Sequence, residues 1–151
     1  MASPILGWWS DKLGKRNLPM NLAAIVGLIA SILVVYLQMP LALLFVLLFI
    51  FGLATGGQIL TFAVAKEINK PNMVGSAIGF TNMALVASGA AMQPLVGYLL
   101  HLNWQGEIRA GVHYYSASDF KIALCLVPLS FFIAFLASKF LIRETCCQAK
   151  Y

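Results

Sequence analysis

Leu18-Pro19-Met20-Asn21-Leu22-Ala23-Ala24-Ile25-Val26-Gly27-Leu28-Ile29-Ala30-Ser31-Ile32-Leu33-Val34-Val35-Tyr36-Leu37-Gln38-Met39 carries no charged side chain along its whole length. As a helix this run measures about 33 Å at 1.5 Å per residue, close to the roughly 30 Å hydrocarbon core of a bilayer. Three further runs of the same kind follow, at about Leu41–Ala65, Met73–Leu100 and Phe120–Ile142. No charge falls between Arg16 and Lys66, or between Lys70 and Glu107. In hydrocarbon every unpaired backbone group costs several kcal/mol, so such runs are helices rather than open strands. The reading is an all-α chain, a polytopic membrane bundle of four transmembrane helices.

Composition supports it. Of 151 residues, 61% are hydrophobic and 10% charged, where a soluble domain has about 25% charged. Too few polar side chains are present to cover a water-facing surface, and the apolar content excludes a disordered chain. The punctuation between runs fits helices. Pro40 suits a first helical turn, and Asn69-Lys70-Pro71-Asn72 reads as a turn. Ser116 and Asp119 have the spacing of a capping box opening the fourth run. Pro94 and Pro128 lie inside their runs and are expected to kink them. Ahead of the first run, Pro4–Trp9 is too short to span and lacks the basic region of a signal peptide. It reads as the last turns of a helix.

The net charge is +5, and its distribution sets an orientation. Threading four helices puts Lys12, Lys15, Arg16, Lys66, Lys70, Lys139, Arg143 and Lys150 on one side, and only Arg109 and Lys121 on the other. The richer side is predicted to be cytoplasmic. This implies a multi-pass protein of the cell or inner membrane, with the lipid bilayer as its surroundings and a cytoplasmic C-terminus. The outer loop, His101–Ser118, then offers Trp104, Tyr114 and Tyr115 to the membrane interface.

Several classes of function are excluded. The basic residues form no solvated face with nucleic-acid-binding context, so nucleic acid is not a partner. Cys125, Cys146 and Cys147 lack metal-ligand spacing, and the tail pair reads as plain thiols rather than lipid anchors. No phosphate-binding loop is present. Ser88 and His101 are about 20 Å apart on one helix, too far for a nucleophile and its base. No catalytic residue, metal or cofactor is expected, and the chain is not read as an enzyme.

The sharpest local pattern is Gly7-Trp8-Trp9-Ser10-Asp11-Lys12-Leu13-Gly14-Lys15-Arg16. Gly7 would permit close helix contact, and Gly14 would let the chain reverse. Lys15 and Arg16 would hold the loop on the cytoplasmic side. Asp11 is expected to accept hydrogen bonds at the N-terminus of the third span, near Val74–Gly75, where the helix dipole favours an anion. The string resembles the G-x-x-(A/S)-D-x-x-G-(R/K)-(R/K) loop of the major facilitator superfamily of secondary transporters, although Trp9 is bulkier than the usual aliphatic residue. Gly79-Phe80-Thr81-Asn82-Met83 with Gln93-Pro94-Leu95-Val96-Gly97-Tyr98-Leu99-Leu100 resembles that family's eleventh helix. Tyr115–Phe120 resembles the lead-in to its twelfth, and Phe140-Leu141-Ile142-Arg143-Glu144-Thr145 the segment after it.

The resemblance implies that residues 1–151 are part of such a transporter domain: the end of helix eight and helices nine to twelve of a C-terminal half. On that reading helices one to seven are missing, and the N-terminal half among them would be the partner. It further implies a partial secondary transporter that moves a small-molecule solute by alternating access, with Gly7, Asp11, Gly14, Lys15 and Arg16 in a gating latch. The alternative is a non-transporting remnant, or a small four-helix membrane protein that acts by association.

Helix faces add candidates. Gly52 and Gly56 in the second run, and Gly75 and Gly79 in a small-residue stripe of the third, are expected at helix contacts. Gln58, Thr61, Asn82 and Gln93 concentrate polarity in the same two runs, and buried polar groups need partners or a water-filled cavity. They are the candidate cavity-facing residues, since in the family the tenth and eleventh helices line the cavity. No carboxylate, His or Lys lies mid-span to couple a proton, and Glu67, beside Lys66, is read as a solvated helix end.

Overall fold

The computed structural model describes residues 2–104, 106, 108–109, 112–142 and 144–146. Arg143, Cys147 and Lys150 of the charge and cysteine readings lie outside them, as does Glu107. A short helix α1 (Ala2–Leu13) leads into α2 (Asn17–Tyr36), the first long apolar helix. The second span comprises α3 (Leu41–Thr55), a tight 3₁₀ turn (Gly56–Gln58) and α4 (Ile59–Ile68). The third comprises a 3₁₀ turn (Pro71–Met73) and α5 (Val74–Leu102). The fourth comprises α6 (Ala117–Ala123) and α7 (Leu126–Phe140). All four are long and apolar enough to cross a bilayer. Between the last two, β1 (Ile108–Arg109) and β2 (Val112–His113) pair antiparallel, Ile108 opposite His113.

Local chemistry places the ends. α2 stops at Tyr36, earlier than the apolar run, because Leu37 turns extended ahead of the linker to Pro40. Pro40 sits one place before the helix rather than in its first turn, its carbonyl accepting from Leu43 and Leu44 N–H. Pro71 opens its turn at a position where a missing N–H costs nothing. The capping box forms as its spacing predicts. Asp119 N–H donates to Ser116 Oγ at 3.3 Å, and Ser116 N–H to Asp119 Oδ2 at 2.8 Å. The two inner prolines behave differently. α5 runs through Pro94 without interruption, whereas the fourth span breaks at Leu124–Cys125. Pro128 has no N–H to offer the Leu124 carbonyl four residues back, and Val127 N–H takes it at 3.0 Å instead.

α2 is the centre of the packing, against α7 on one side and α3 on the other. Its inward stripe is small, with Ala24, Gly27, Ala30 and Ser31 buried, and small residues let membrane helices approach. The tightest approach is at Gly27, where a Cβ would lie 2.2 Å from the Phe131 ring. That ring is held edge-on against Phe51, with centroids 5.5 Å apart. At the far end of the bundle Tyr36 and Lys121 join α2 to α6, the lysine Nζ donating to the Tyr36 carbonyl at 3.4 Å.

The glycines expected at helix contacts are placed differently. Gly56 is buried, and Gly57 approaches α2 so closely that a Cβ would meet Ala23 at 2.6 Å. Gly52, Gly75 and Gly79 face open space within this chain, as does Gly7. Spacing alone identifies a smooth face and says nothing about which neighbour it meets. Gly27→Ala is therefore expected to destabilise the bundle by about 1–3 kcal/mol through overpacking. Gly52→Ala should stay within about 0.5 kcal/mol. Unfolding of both variants in mixed detergent micelles measures the contrast, and equal losses would contradict the packing described.

Candidate functional site

Two features at membrane depth and at one end of the bundle concentrate the polar chemistry. The first lies where α1, α2, α4 and the segment after α7 end together, here called the basic end. Gly14 closes α1 in a left-handed conformation, φ 61°. Its N–H donates to the Asp11 carbonyl and that of Lys15 to the Ser10 carbonyl, so the chain doubles back as a glycine-terminated helix end does. This reversal returns Arg16 to the end of its own helix.

Arg16 is buried, not solvated as a simple positive loop residue would be. Its Nε and Nη2 donate to Glu67 Oε1 at 3.0 and 2.6 Å, while Nη1 meets Ser10 Oγ at 3.0 Å and Asp11 Oδ1 at 2.7 Å. The two ion pairs differ in weight. The Arg16 and Glu67 side chains are 9% and 10% exposed, whereas that of Asp11 is 64% exposed. The Asp11 pair is screened and contributes at most about 1 kcal/mol. Removing one member of the desolvated pair leaves an uncompensated charge at a cost of about 3–5 kcal/mol. Glu67 is completed by Thr145, whose hydroxyl donates to Oε2.

Two expectations are corrected here. Asp11 binds Arg16, because the turn delivers that guanidinium to it, and α5 starts after Met73 with no side-chain cap. Glu67 is a buried partner rather than a solvated end, while Lys66 and Lys70 remain exposed.

Glu144 adds a cap from a distance in sequence. Its Oε1 accepts from Arg16 N–H at 2.7 Å and its Oε2 from Asn17 N–H at 3.0 Å, satisfying donors at the start of α2. Asn17 Nδ2 donates in return to the Ile142 carbonyl at 2.8 Å. Partial burial pushes the Glu144 carboxyl upward, but backbone N–H groups of Arg16, Asn17, Cys146 and Thr145 outweigh it and hold the group below the usual glutamate range.

The second feature is a chain of three cavities beside the second span. One of about 280 Å³ is lined by Thr55, Gln58 and Thr61 of that span, by Ala24 of α2 and by Ser138 of α7. Ser138 Oγ is buried with no hydrogen-bond partner. A cavity of about 310 Å³ between the second and third spans shares Thr61 and Leu85 with it and adds Thr81 and Ser88. A third, about 390 Å³, shares Phe80 and Thr81 and reaches Asn69 and Ser76 toward the basic end. The 3₁₀ turn at Gly56–Gln58 interrupts the helix where the first cavity lies.

The structure thus brings Gln58 and Thr61 together at one cavity, while Asn82 and Gln93 lie exposed along α5 and line none of the three. Hydroxyls and amides differ in their needs. Thr55, Thr61, Thr81 and Ser88 donate to backbone carbonyls three or four residues earlier, at 2.6–2.9 Å, which lowers the cost of placing them in a membrane. Among the described residues no hydrogen bond uses the side chains of Gln58, Asn82 or Gln93. Sequence reasoning missed Ser10, Glu144, Thr145 and Ser138 as site residues. A carboxylate at each of two helix ends was the available signal.

The Glu144 cap has a pH signature. A depressed carboxyl pKa adds stability that is complete above the unfolded value, about 4.3, and is lost as pH falls through the lower folded value. Glu144→Gln should therefore lower the melting temperature at pH 7, and the gap to the unaltered chain should narrow only below about pH 4.3. A gap that stays constant down to pH 3 would show that the charge carries none of the cap.

A search among curated proteins found no match, and neither did one among solved structures. A family model described as Major Facilitator Superfamily matches residues 1–136. That stretch contains α1 with its reversing turn, the Arg16–Glu67 pair, the first three spans and all but the last residues of the fourth. With a family model matching nine-tenths of its length, and four helices long and apolar enough to cross a membrane, the chain belongs to the Major Facilitator Superfamily, a family of membrane transporters.

Proposed function

We propose that this chain supplies one wall of a secondary transporter that moves a small solute by alternating access, the other wall coming from a matching N-terminal half. The carrying observation is the set of amides. Gln58, Asn82 and Gln93 are exposed on the second and third spans, with no side-chain hydrogen-bond partner among the described residues. In hydrocarbon an unsatisfied amide is costly, so these faces belong against water, solute or polar protein. Alternating-access transporters place their site between two such bundles near the midplane. The cavity lined by Thr61, Thr81 and Ser88 lies between the second and third spans and supports the reading.

In this reading Gly7, Asp11, Gly14, Lys15 and Arg16 form the gating latch. Arg16–Glu67 provides its fixed part, and the screened Asp11 contact the part that breaks and re-forms. The basic end faces the cytoplasm by its excess of Lys and Arg, in the cell or inner membrane. The bare α5 face also supports the second reading, a membrane protein that acts by association, because no residue of that helix is buried within the chain.

Proteoliposomes distinguish the two. The chain alone should show no saturable uptake from a panel of radiolabelled sugars, amino acids and carboxylates. Co-expression with a matching N-terminal half should confer uptake, and Asn82→Leu should reduce it at least tenfold without loss of protein. In those vesicles an impermeant thiol reagent should reach a cysteine at position 68 only from the cytoplasmic face. Saturable uptake by the chain alone, abolished by Asn82→Leu, would contradict the two-wall reading.

A further inference from the structure

A fourth concavity, almost wholly apolar, lies between α1, α2 and the second span, with a volume of about 390 Å³, and backs on to the first hydroxyl-lined cavity across Ala23 and Ala54. Its walls are Ile5 and Trp9 of α1, Pro19, Leu22 and Val26 of α2, and Leu53 of α3. The α2 residues form one stripe at helical spacing about 10 Å long, from Pro19 near the basic end to Val26 inside the bilayer. Ile5, Leu22, Val26 and Leu53 keep over a third of their surface uncovered. The groove therefore opens to the surroundings of two membrane-crossing helices, which are acyl chains.

Its basic-end mouth is marked by charge. Of the acids nearest it, Glu67 is committed to Arg16 and Glu144 to the backbone at the start of α2, while Asp11 meets Arg16 through its exposed contact. Lys12 and Lys15 are exposed, one turn beyond Trp9 and just past the reversing turn. Neither forms an ion pair among the described residues. Lys12 Nζ lies over the Trp8 ring, 5.1 Å from its centroid, and Trp8 is itself exposed. Trp9 in the groove wall, with exposed Trp8 beside it and two lysines beyond, matches the interfacial depth of a phospholipid. Across the basic end six described cations, Lys12, Lys15, Arg16, Lys66, Lys70 and Lys139, stand against three acids, Asp11, Glu67 and Glu144. The local field thus favours an anionic headgroup.

We infer that this groove is a binding site for one anionic phospholipid, its acyl chain along Pro19–Val26 and its phosphate between Lys12 and Lys15. The site lies on the other face of Ala23 and Ala54 from the cavity of Gln58 and Thr61, and its occupancy does not require transport. Seated there, a lipid covers the seam between α1 and the second span and holds α1 beside the helix that carries Glu67.

The test is photolabelling of the full chain in nanodiscs of phosphatidylcholine, doped with phosphatidylglycerol or phosphatidylcholine bearing a photoreactive acyl chain. Adducts are expected on peptides containing Ile5–Trp9 and Leu22–Val26, and more strongly from the anionic lipid. Replacing Lys12 and Lys15 by Gln should cut that preference roughly five-fold per lysine at low ionic strength. Replacing both by Arg should retain it, and circular dichroism of both variants reports that they are folded. Leu22→Trp, which fills the groove without touching the lysines, should remove the adducts while keeping the fold. Equal labelling by both lipids would overturn headgroup recognition. Adducts spread evenly over α5 as well would overturn a site, and peptide-to-peptide crosslinks at these stretches would assign the groove to protein.

Discussion

Among the described residues, the arrangement of the helices depends on one ion pair buried on both sides. Lipid tails are as apolar as leucine, so helices in a membrane gain little by hiding apolar faces from their surroundings. What fixes their arrangement is close packing of small residues and the few polar contacts that lipid cannot replace. Here the contact is Arg16 with Glu67, which joins the start of the first span to the end of the second. Arg16 is held in place by the Gly14 reversal on one side and by Glu144 on its own N–H on the other. Through Thr145 the pair also reaches the segment beyond the fourth span. Three spans thus meet at one guanidinium.

The third span stands outside this arrangement, and that asymmetry carries the functional reading. α5 touches α4 and α6 but buries none of its residues. At 1.5 Å per residue it is about 43 Å long, more than the hydrocarbon core requires. Its exposed face holds Gly75, Gly79 and Asn82, a combination suited to close contact with protein or water and poorly suited to lipid. The second and fourth spans pack on α2, the first, while the third lies against α4 and α6 with most of its surface uncovered.

Much of this was legible in the sequence, for reasons that are local. The four spans follow from uninterrupted apolar runs. The Ser116–Asp119 box follows from a three-residue spacing and the reversal at Gly14 from a residue that tolerates positive φ. The family resemblance was legible in the Gly7–Arg16 string. The interactions that span the chain were not. Arg16 and Glu67 are separated by 51 residues, and nothing near either indicates that one is buried with the other. A glutamate flanked by Lys66 and Lys70 reads as solvated, and the lysines are indeed exposed while the glutamate turns inward. Glycine spacing likewise marked Gly52, Gly75 and Gly79, but the tightest contact formed at Gly27, where the deciding feature is the opposing Phe131.

A double-mutant cycle on Arg16 and Glu67 tests the central role of their pair most directly. Arg16→Met and Glu67→Gln, alone and together, are unfolded reversibly in mixed micelles, with Asp11→Asn and its double with Arg16→Met run in parallel. Each buried single substitution should cost about 3–5 kcal/mol, and the double much less than their sum, with a coupling well above the roughly 0.5 kcal/mol limit of additivity. The Asp11 cycle should stay within that limit, as its exposure dictates. Additive losses at Arg16 and Glu67 would contradict the account, since two independent side chains cannot be what joins the spans.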